Sequence, residues 1–234
     1  MKSWLHRTRR WLARFDPQAA VGGHWEGMGR LQLDFLVDEG LRPHHFLLDV
    51  ACGSFRGDRH FIQNLDEGHY AGIDKNPTLL EEGRKRSLKP PSLLERKPKL
   101  HQVGFRGQPQ DLGTLLKQSY DYIWVHALFD HMPPATIRVC LRNLANVLKA
   151  SGRLYATIFL NPHGATFREP IIHPRKGSLT GAVVTYPDRE YWHHPLEFFT
   201  DALKEIPQLD LDACLYDYPH PLGLRVLRFR RGSA

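Results

Sequence analysis

Three stretches of this sequence combine residue types and spacings that can do chemistry. The first is Leu47-Leu48-Asp49-Val50-Ala51-Cys52-Gly53-Ser54-Phe55-Arg56-Gly57, an apolar run that passes through a carboxylate into a glycine-containing turn. Glycine there lets a ligand approach the backbone closely. Its continuation, Tyr70-Ala71-Gly72-Ile73-Asp74-Lys75-Asn76, places a second carboxylate about 20 residues beyond the glycines, where it can accept hydrogen bonds from ribose hydroxyls. The second stretch runs from Trp124 to Pro133 and carries His126, Asp130 and His131. Histidine titrates at about 6.5, which suits it to taking a proton at neutral pH. The third, Tyr186 to His194, offers Tyr191, Trp192 and His193, side chains with aromatic faces and polar tips that suit a pocket wall. Each has a structural alternative. His126 can simply pack at a strand end, His131 can cap the following helix, and the 186–194 segment can pack on a sheet edge.

The elements that position these residues follow from periodicity and breakers. Met28, Leu31, Phe35 and Leu36 predict a helix over 26–40, ended by Gly40. Phe46 to Ala51 reads as a buried strand, followed by a glycine turn and a helix from about Asp58. His69 to Asp74 is a second strand, and helix-like residues follow Pro77. Pro90, Pro91 and Pro98 break the chain before a third strand at Leu100 to Val103. Tyr120 to His126 is a fourth strand, aromatic and β-branched. Pro133 and Pro134 open a helix with Ile137, Leu141, Leu144 and Leu148 on its apolar side. Ser151-Gly152 ends that helix, and Arg153 to Leu160 makes a fifth strand. Strands thus alternate with helices, which predicts a parallel sheet with helices on both faces. After Leu160 the alternation stops. Residues 161–194 read as a long loop with the short apolar stretch Ala182-Val183-Val184, and a loop of that length inside a domain is often a lid. Pro195 to Ile206 reads as a helix, with closing strands at Leu209 to Tyr216 and Leu222 to Phe229. Residues 3–15 suggest a further helix with a basic face, packed on its own domain or lying on a membrane. The expected organisation is a basic helical extension over 1–25 and one domain over 26–234.

The glycine turn and the Asp74 segment resemble motifs I and II of class I S-adenosylmethionine (SAM)-dependent methyltransferases, and the order of elements from Phe46 to Phe159 is similar to theirs. The resemblance implies an α/β, doubly wound, Rossmann-like fold with a seven-stranded, mostly parallel sheet, and SAM as cofactor, released as S-adenosylhomocysteine. By that likeness Asp49 and Gly53 lie at the methionine end of SAM, with Ala51 and Ser54 among the cofactor-binding candidates. Asp74 holds the ribose, Lys75 and Asn76 lie near the adenosine, and Phe105 neighbours the adenine. Arg56 and Arg30 are candidates to meet the SAM carboxylate; solvated arginines would look the same in sequence. The chain departs from the family's acidic-x-Gly-x-Gly-x-Gly pattern, since Ala51 and Phe55 stand where glycines are usual. Either the turn has another shape, with Phe55 facing the core, or the amino acid end of SAM is held differently. A nicotinamide dehydrogenase would want G-x-G-x-x-G, and a P-loop G-x-x-x-x-G-K-[ST]; neither is present.

In this superfamily the residues after the fourth strand commonly meet SAM and the methyl acceptor. His126, Asp130 and His131 are therefore the catalytic candidates, with His126 also lining SAM, and Phe129, His131, Tyr191, Trp192 and His193 the acceptor-binding candidates. The segment His131-Met132-Pro133-Pro134 does not match the Asn- or Asp-Pro-Pro-aromatic motif of base-modifying amino methyltransferases. A small metabolite or natural-product acceptor, methylated on oxygen or nitrogen, is the first expectation. The second is RNA or protein, kept open by a formal net charge of +7 over 234 residues. The third, motivated by the altered glycine pattern, is a SAM-binding protein without methyl transfer. The 14 histidines, including His44-His45 and His193-His194, do not fall at metal-ligand spacings, and no metal is expected. Three scattered cysteines argue against a disulfide framework. No apolar run is long enough to span a bilayer, and the N-terminus is not a secretory signal, so a cytoplasmic setting is expected.

Overall fold

The computed structural model describes residues 25–55, 57–86, 88, 91–103, 112–174 and 182–232. The expected helix at 3–15 and two of the cofactor candidates, Arg56 and Phe105, lie outside the described residues. One seven-stranded sheet has the strand order β10-β11-β5-β4-β1-β2-β3. The chain divides into two compact units after residue 104.

In the first unit, helix α1 (Trp25–Asp38) is followed by β1 (Leu47–Val50), α2 (Asp58–Asn64), β2 (Tyr70–Asp74), α3 (Pro77–Arg86), the short α4 (Pro91–Glu95) and β3 (Lys99–Gln102). Every residue of β1 and β2 is buried, as expected of central parallel strands covered on both faces. They pair in parallel with Asp49 opposite Gly72 and Val50 opposite Ile73. The outermost strand, β3, is more polar and half-exposed. Helix α1 ends where expected. Gly40 has φ 97°, the Leu41 amide reaches back to the Leu36 carbonyl, and the Gly40 amide to that of Val37. This is the glycine-capped ending that satisfies the last carbonyls of a helix. Glu26 at the start of α1 lies 3.4 Å from both Arg59 and His60 of α2. Helix α4 corrects the expectation that the prolines merely break the chain there: Pro91 sits at the first position of a helix, where its missing N–H costs nothing.

The second unit contains α5 (Leu112–Leu116), β4 (Tyr120–Val125), a 3-10 turn (Phe129–His131), α6 (Pro134–Ala145), β5 (Leu148–Ile158), β6 (Leu160–Asn161), β7 (Ile171–His173), β8 (Val183–Thr185), β9 (His194–Pro195), α7 (Leu196–Leu203), β10 (Leu209–Leu215) and β11 (Arg225–Arg231). β4 and β5 are parallel, while β11 runs antiparallel to both β5 and β10. The core gathers Trp124, Ile137, Leu141, Leu144, Phe199 and Phe229, all fully buried.

Two expectations need correction in this unit. Ser151-Gly152 does not separate helix from strand. The helix stops at Ala145, and Leu148 already pairs with Tyr120. Ser151 and Gly152 then lie in a register shift within β5, after which Arg153 pairs with Tyr122. A strand partner for Leu148 outweighs its helical spacing. Nor is 161–194 structureless: β6 pairs with β9, and β7 with β8 as an antiparallel ribbon. These segments are too short to show a strand period in sequence. Part of the basic excess at the C-terminus is paired across β10 and β11, Arg228 with Asp212 at 2.6 Å and Arg230 with Asp210 at 3.6 Å.

Candidate active site

The turn after β1 keeps a glycine-like backbone at residues that are not all glycine. Ala51, Gly53 and Phe55 have φ of 62°, 64° and 69°. This left-handed region costs an L-residue roughly 1–2 kcal/mol. The costs at Ala51 and Phe55 are offset by anchoring. The Ala51 and Cys52 amides both donate to the Ile73 carbonyl, at 2.8 and 3.2 Å. The Gly53 amide donates to Asp74 Oδ2 at 2.9 Å. Phe55 is fully buried, its ring against Gly83 of α3, where an added Cβ would come within 2.7 Å of Phe55 Cδ2. Phe55 faces the core, and the turn keeps left-handed backbone angles at Ala51 and Phe55 without glycine there.

Asp74 closes β2 and is only 6 % exposed. Its Oδ1 accepts the Asn76 amide at 2.7 Å. Burial pushes its carboxyl above the usual range, while the Asn76 and Gly53 amides pull it down. Asn76 caps α3, its Oδ1 accepting the Thr78 amide at 3.0 Å, with Pro77 as the first helical residue. Lys75 is exposed. Asp49 is buried, and the Tyr70 hydroxyl lies 3.4 Å from its Oδ2. Ser54 is buried within the turn. Burial, and then the carboxylates of Asp58, Asp49 and Asp74, raise the Cys52 thiol well above its ordinary value, which makes it a poor nucleophile. Arg30, by contrast, is on the surface and paired with Asp34 of its own helix at 2.9 Å.

These residues fit SAM. The carboxylates of Asp49, Asp58 and Asp74 are buried at one turn, and such a cluster suits a ligand that carries a sulfonium and an ammonium.

In the second unit the residues after β4 are held by long-range hydrogen bonds. The Ala127 amide donates to Thr157 Oγ1 at 2.7 Å. The Trp192 amide donates to the Asp130 carbonyl at 2.8 Å, and His194 Nε2 to the Phe129 carbonyl at 3.1 Å. Two of the predicted groups, 126–131 and 191–193, are thereby brought together. His131 is gripped by two carboxylates, with Nδ1 2.6 Å from Glu190 Oε1 and Nε2 3.4 Å from Asp130 Oδ2. The Tyr191 ring lies 5.0 Å from the His131 ring. Trp192 stacks on His194 at 6.1 Å. His193 is 1 % exposed and bonded through Nδ1 to Thr185. Phe129, expected among the acceptor contacts, is fully buried 6.3 Å from Phe199 and belongs to the core.

His126, 8 % exposed, has the rings of His220 at 5.6 Å and Tyr218 at 6.2 Å as neighbours. Glu190, Tyr218, His220 and Thr185 escaped the sequence reading. Glu190 stands in a segment already singled out, but nothing in its spacing links it to a histidine 59 positions away. Among the described residues, no group of three or more His, Cys, Asp or Glu is placed to hold a metal ion, and no helix is long and apolar enough to cross a membrane.

Residues 48–154 match the family model of a methyltransferase domain. A SAM-dependent methyltransferase from Clostridium acetobutylicum superposes with a TM-score of 0.61 at 12 % identity, covering 94 % of this chain and 96 % of that one. The glycopeptide N-methyltransferase MtfA gives 0.62 at 12 % identity, covering 89 % and 91 %. The magnesium protoporphyrin IX methyltransferase of Synechocystis PCC 6803, solved with bound SAM, gives 0.57 at 14 % identity, covering 88 % and 81 %. A methyltransferase-domain model thus matches the chain from β1 into β5, and the fold across most of its length is that of solved SAM-dependent methyltransferases.

Proposed function

We propose that the chain is a SAM-dependent methyltransferase acting on an oxygen or nitrogen of a small-molecule acceptor, with His131 as the proton acceptor. The observation that carries the reading is the imidazole of His131 held by Glu190 at 2.6 Å and Asp130 at 3.4 Å. SAM, when bound, supplies an electrophilic methyl group. Asp49 and Gly53 would hold its methionine end, and Asp74 its ribose hydroxyls. Glu190 accepts the Nδ1–H of His131, which leaves the Nε2 lone pair to take the proton of an acceptor O–H or N–H. Asp130, beside Nε2, stabilises the imidazolium that results. Tyr191 and Trp192 supply aromatic wall, and segment 161–194 serves as the acceptor lid. The superposed glycopeptide and porphyrin methyltransferases have acceptors of a kind with this reading. The cytoplasm is the compartment that suits a chain whose Cys52 and Cys140 are buried free thiols.

The test begins with calorimetric titration of SAM and S-adenosylhomocysteine, then follows S-adenosylhomocysteine release against small hydroxyl and amine acceptors and against RNA. Turnover with a small acceptor supports the proposal. Turnover only with RNA, with binding that weakens steeply with salt, overturns the acceptor class. Tight SAM binding without turnover on any acceptor overturns the enzymatic reading.

A further inference from the structure

Inside segment 161–194 three side chains form a chain of hydrogen bonds, buried at Thr185 and His193 and half-buried at His173. Thr185 Oγ1 lies 2.9 Å from His173 Nε2 and 2.9 Å from His193 Nδ1, and donates to the Ile171 carbonyl at 3.4 Å. Thr185 is 0 % exposed and His193 1 %. A hydroxyl has one proton and two lone pairs. With its proton on the Ile171 carbonyl, Thr185 Oγ1 has two lone pairs for the N–H groups of the two rings, the arrangement in which His193 is the Nδ1–H tautomer with its lone pair on Nε2. That Nε2 is buried and has no hydrogen-bond partner among the described residues. Burial pushes His173 down to about 4 and also lowers His193, so both rings are neutral at pH 7. Aromatic rings complete the surroundings, with Phe167 6.3 Å from His193 and Phe159 4.4 Å from His173.

We infer that His193 Nε2 is the acceptor for a hydrogen-bond donor, a hydroxyl or amine, of a bound aromatic small molecule, and that Thr185 is the positioning residue that sets its tautomer. An unpaired buried acceptor disfavours a ligand that brings no donor to it. The site therefore selects a ligand that carries a hydroxyl or amine donor, apart from the group that His131 deprotonates, over one that lacks it. The inference deepens the small-acceptor reading and rests on it.

The experiment uses the full chain with ¹⁵N-labelled histidine, saturated with S-adenosylhomocysteine. Nitrogen NMR reads the tautomer of His193 at pH 7.5, and phenol and anisole serve as matched probes with and without a donor. The expected result is a protonated Nδ1, an Nε2 resonance that responds to phenol, and a response to anisole at least tenfold weaker. Thr185→Val releases the tautomer and weakens the phenol response about tenfold, whereas Thr185→Ser keeps both; the serine variant serves if valine prevents folding. A protonated Nε2 in the native protein overturns the inference, as does an equal response to the two probes or a response to neither. Methyl transfer is measured separately, so a failure of the activity reading leaves the NMR outcome distinguishable.

Discussion

The Gly53 amide donates to Asp74 Oδ2 at 2.9 Å, so the carboxylate that ends β2 also holds the turn that follows β1. Replacing Asp74 by alanine removes the acceptor for Gly53 and Asn76 together with the proposed ribose partner. SAM affinity is expected to fall by roughly 1–3 kcal/mol. Calorimetry checks this, and undiminished affinity in a folded Asp74→Ala variant removes the residue from the cofactor site.

Phe55 and Gly83 are mutually dependent. An added Cβ at Gly83 would lie 2.7 and 2.9 Å from the Phe55 ring. Gly83→Ala is therefore expected to destabilise by roughly 1–2 kcal/mol, overpacking outweighing the gain in helix propensity. In a Phe55→Leu background the same change should cost less, with a coupling of about 1 kcal/mol. Urea unfolding of the four proteins measures it, and strict additivity refutes the contact.

Ala51 offers the converse case. Its φ of 62° is strained for alanine and free for glycine, while glycine adds about 0.4–1 kcal/mol of unfolded-state entropy to be lost. Ala51→Gly should leave stability equal to the native value or raise it by up to about 1 kcal/mol. A marked loss on thermal unfolding would show that the alanine methyl has a packing role.

His131→Ala should lower turnover roughly 100- to 10,000-fold, the range of general-base catalysis, with a much smaller change in SAM affinity. Glu190→Gln should lower kcat less, by about tenfold, because the amide still orients the ring but no longer balances its charge. Both are read from steady-state kinetics with the acceptor found in the screen. Full turnover in His131→Ala excludes it as the base.

His194 gives a pH signature. Burial lowers it to about 4, and its Nε2 donates to the Phe129 carbonyl. The unfolded side chain titrates at about 6.5. Below that pH the unfolded chain takes up a proton that the folded one refuses, so stability falls as pH drops from 6.5 towards 4. The loss is roughly 2 kcal/mol between pH 7.5 and 5. His194→Gln, which keeps a side-chain N–H donor, should flatten that slope in urea titrations; an unchanged slope would refute the assignment.

What the sequence determined by itself was local. β1, β2 and β4 are buried apolar runs ended by chemistry-bearing residues, and helix α1 carries its own glycine stop. Those patterns come from the strand and helix periods and from backbone freedom, which are properties of neighbouring residues. They were enough to indicate the alternating architecture and the resemblance to methyltransferases, and to show that Ala51 and Phe55 break the glycine pattern. The tertiary structure alone decided how that break is tolerated, since the shape of the turn depends on Ile73, Asp74 and Gly83. It also moved Leu148 from helix to strand, because a partner at Tyr120 is worth more than a fitting period. The pairings of Glu190 with His131 and of Thr185 with His173 and His193 likewise became visible only in three dimensions. A hydrogen bond between residues far apart in the chain depends on which surfaces pack, and no local period encodes that.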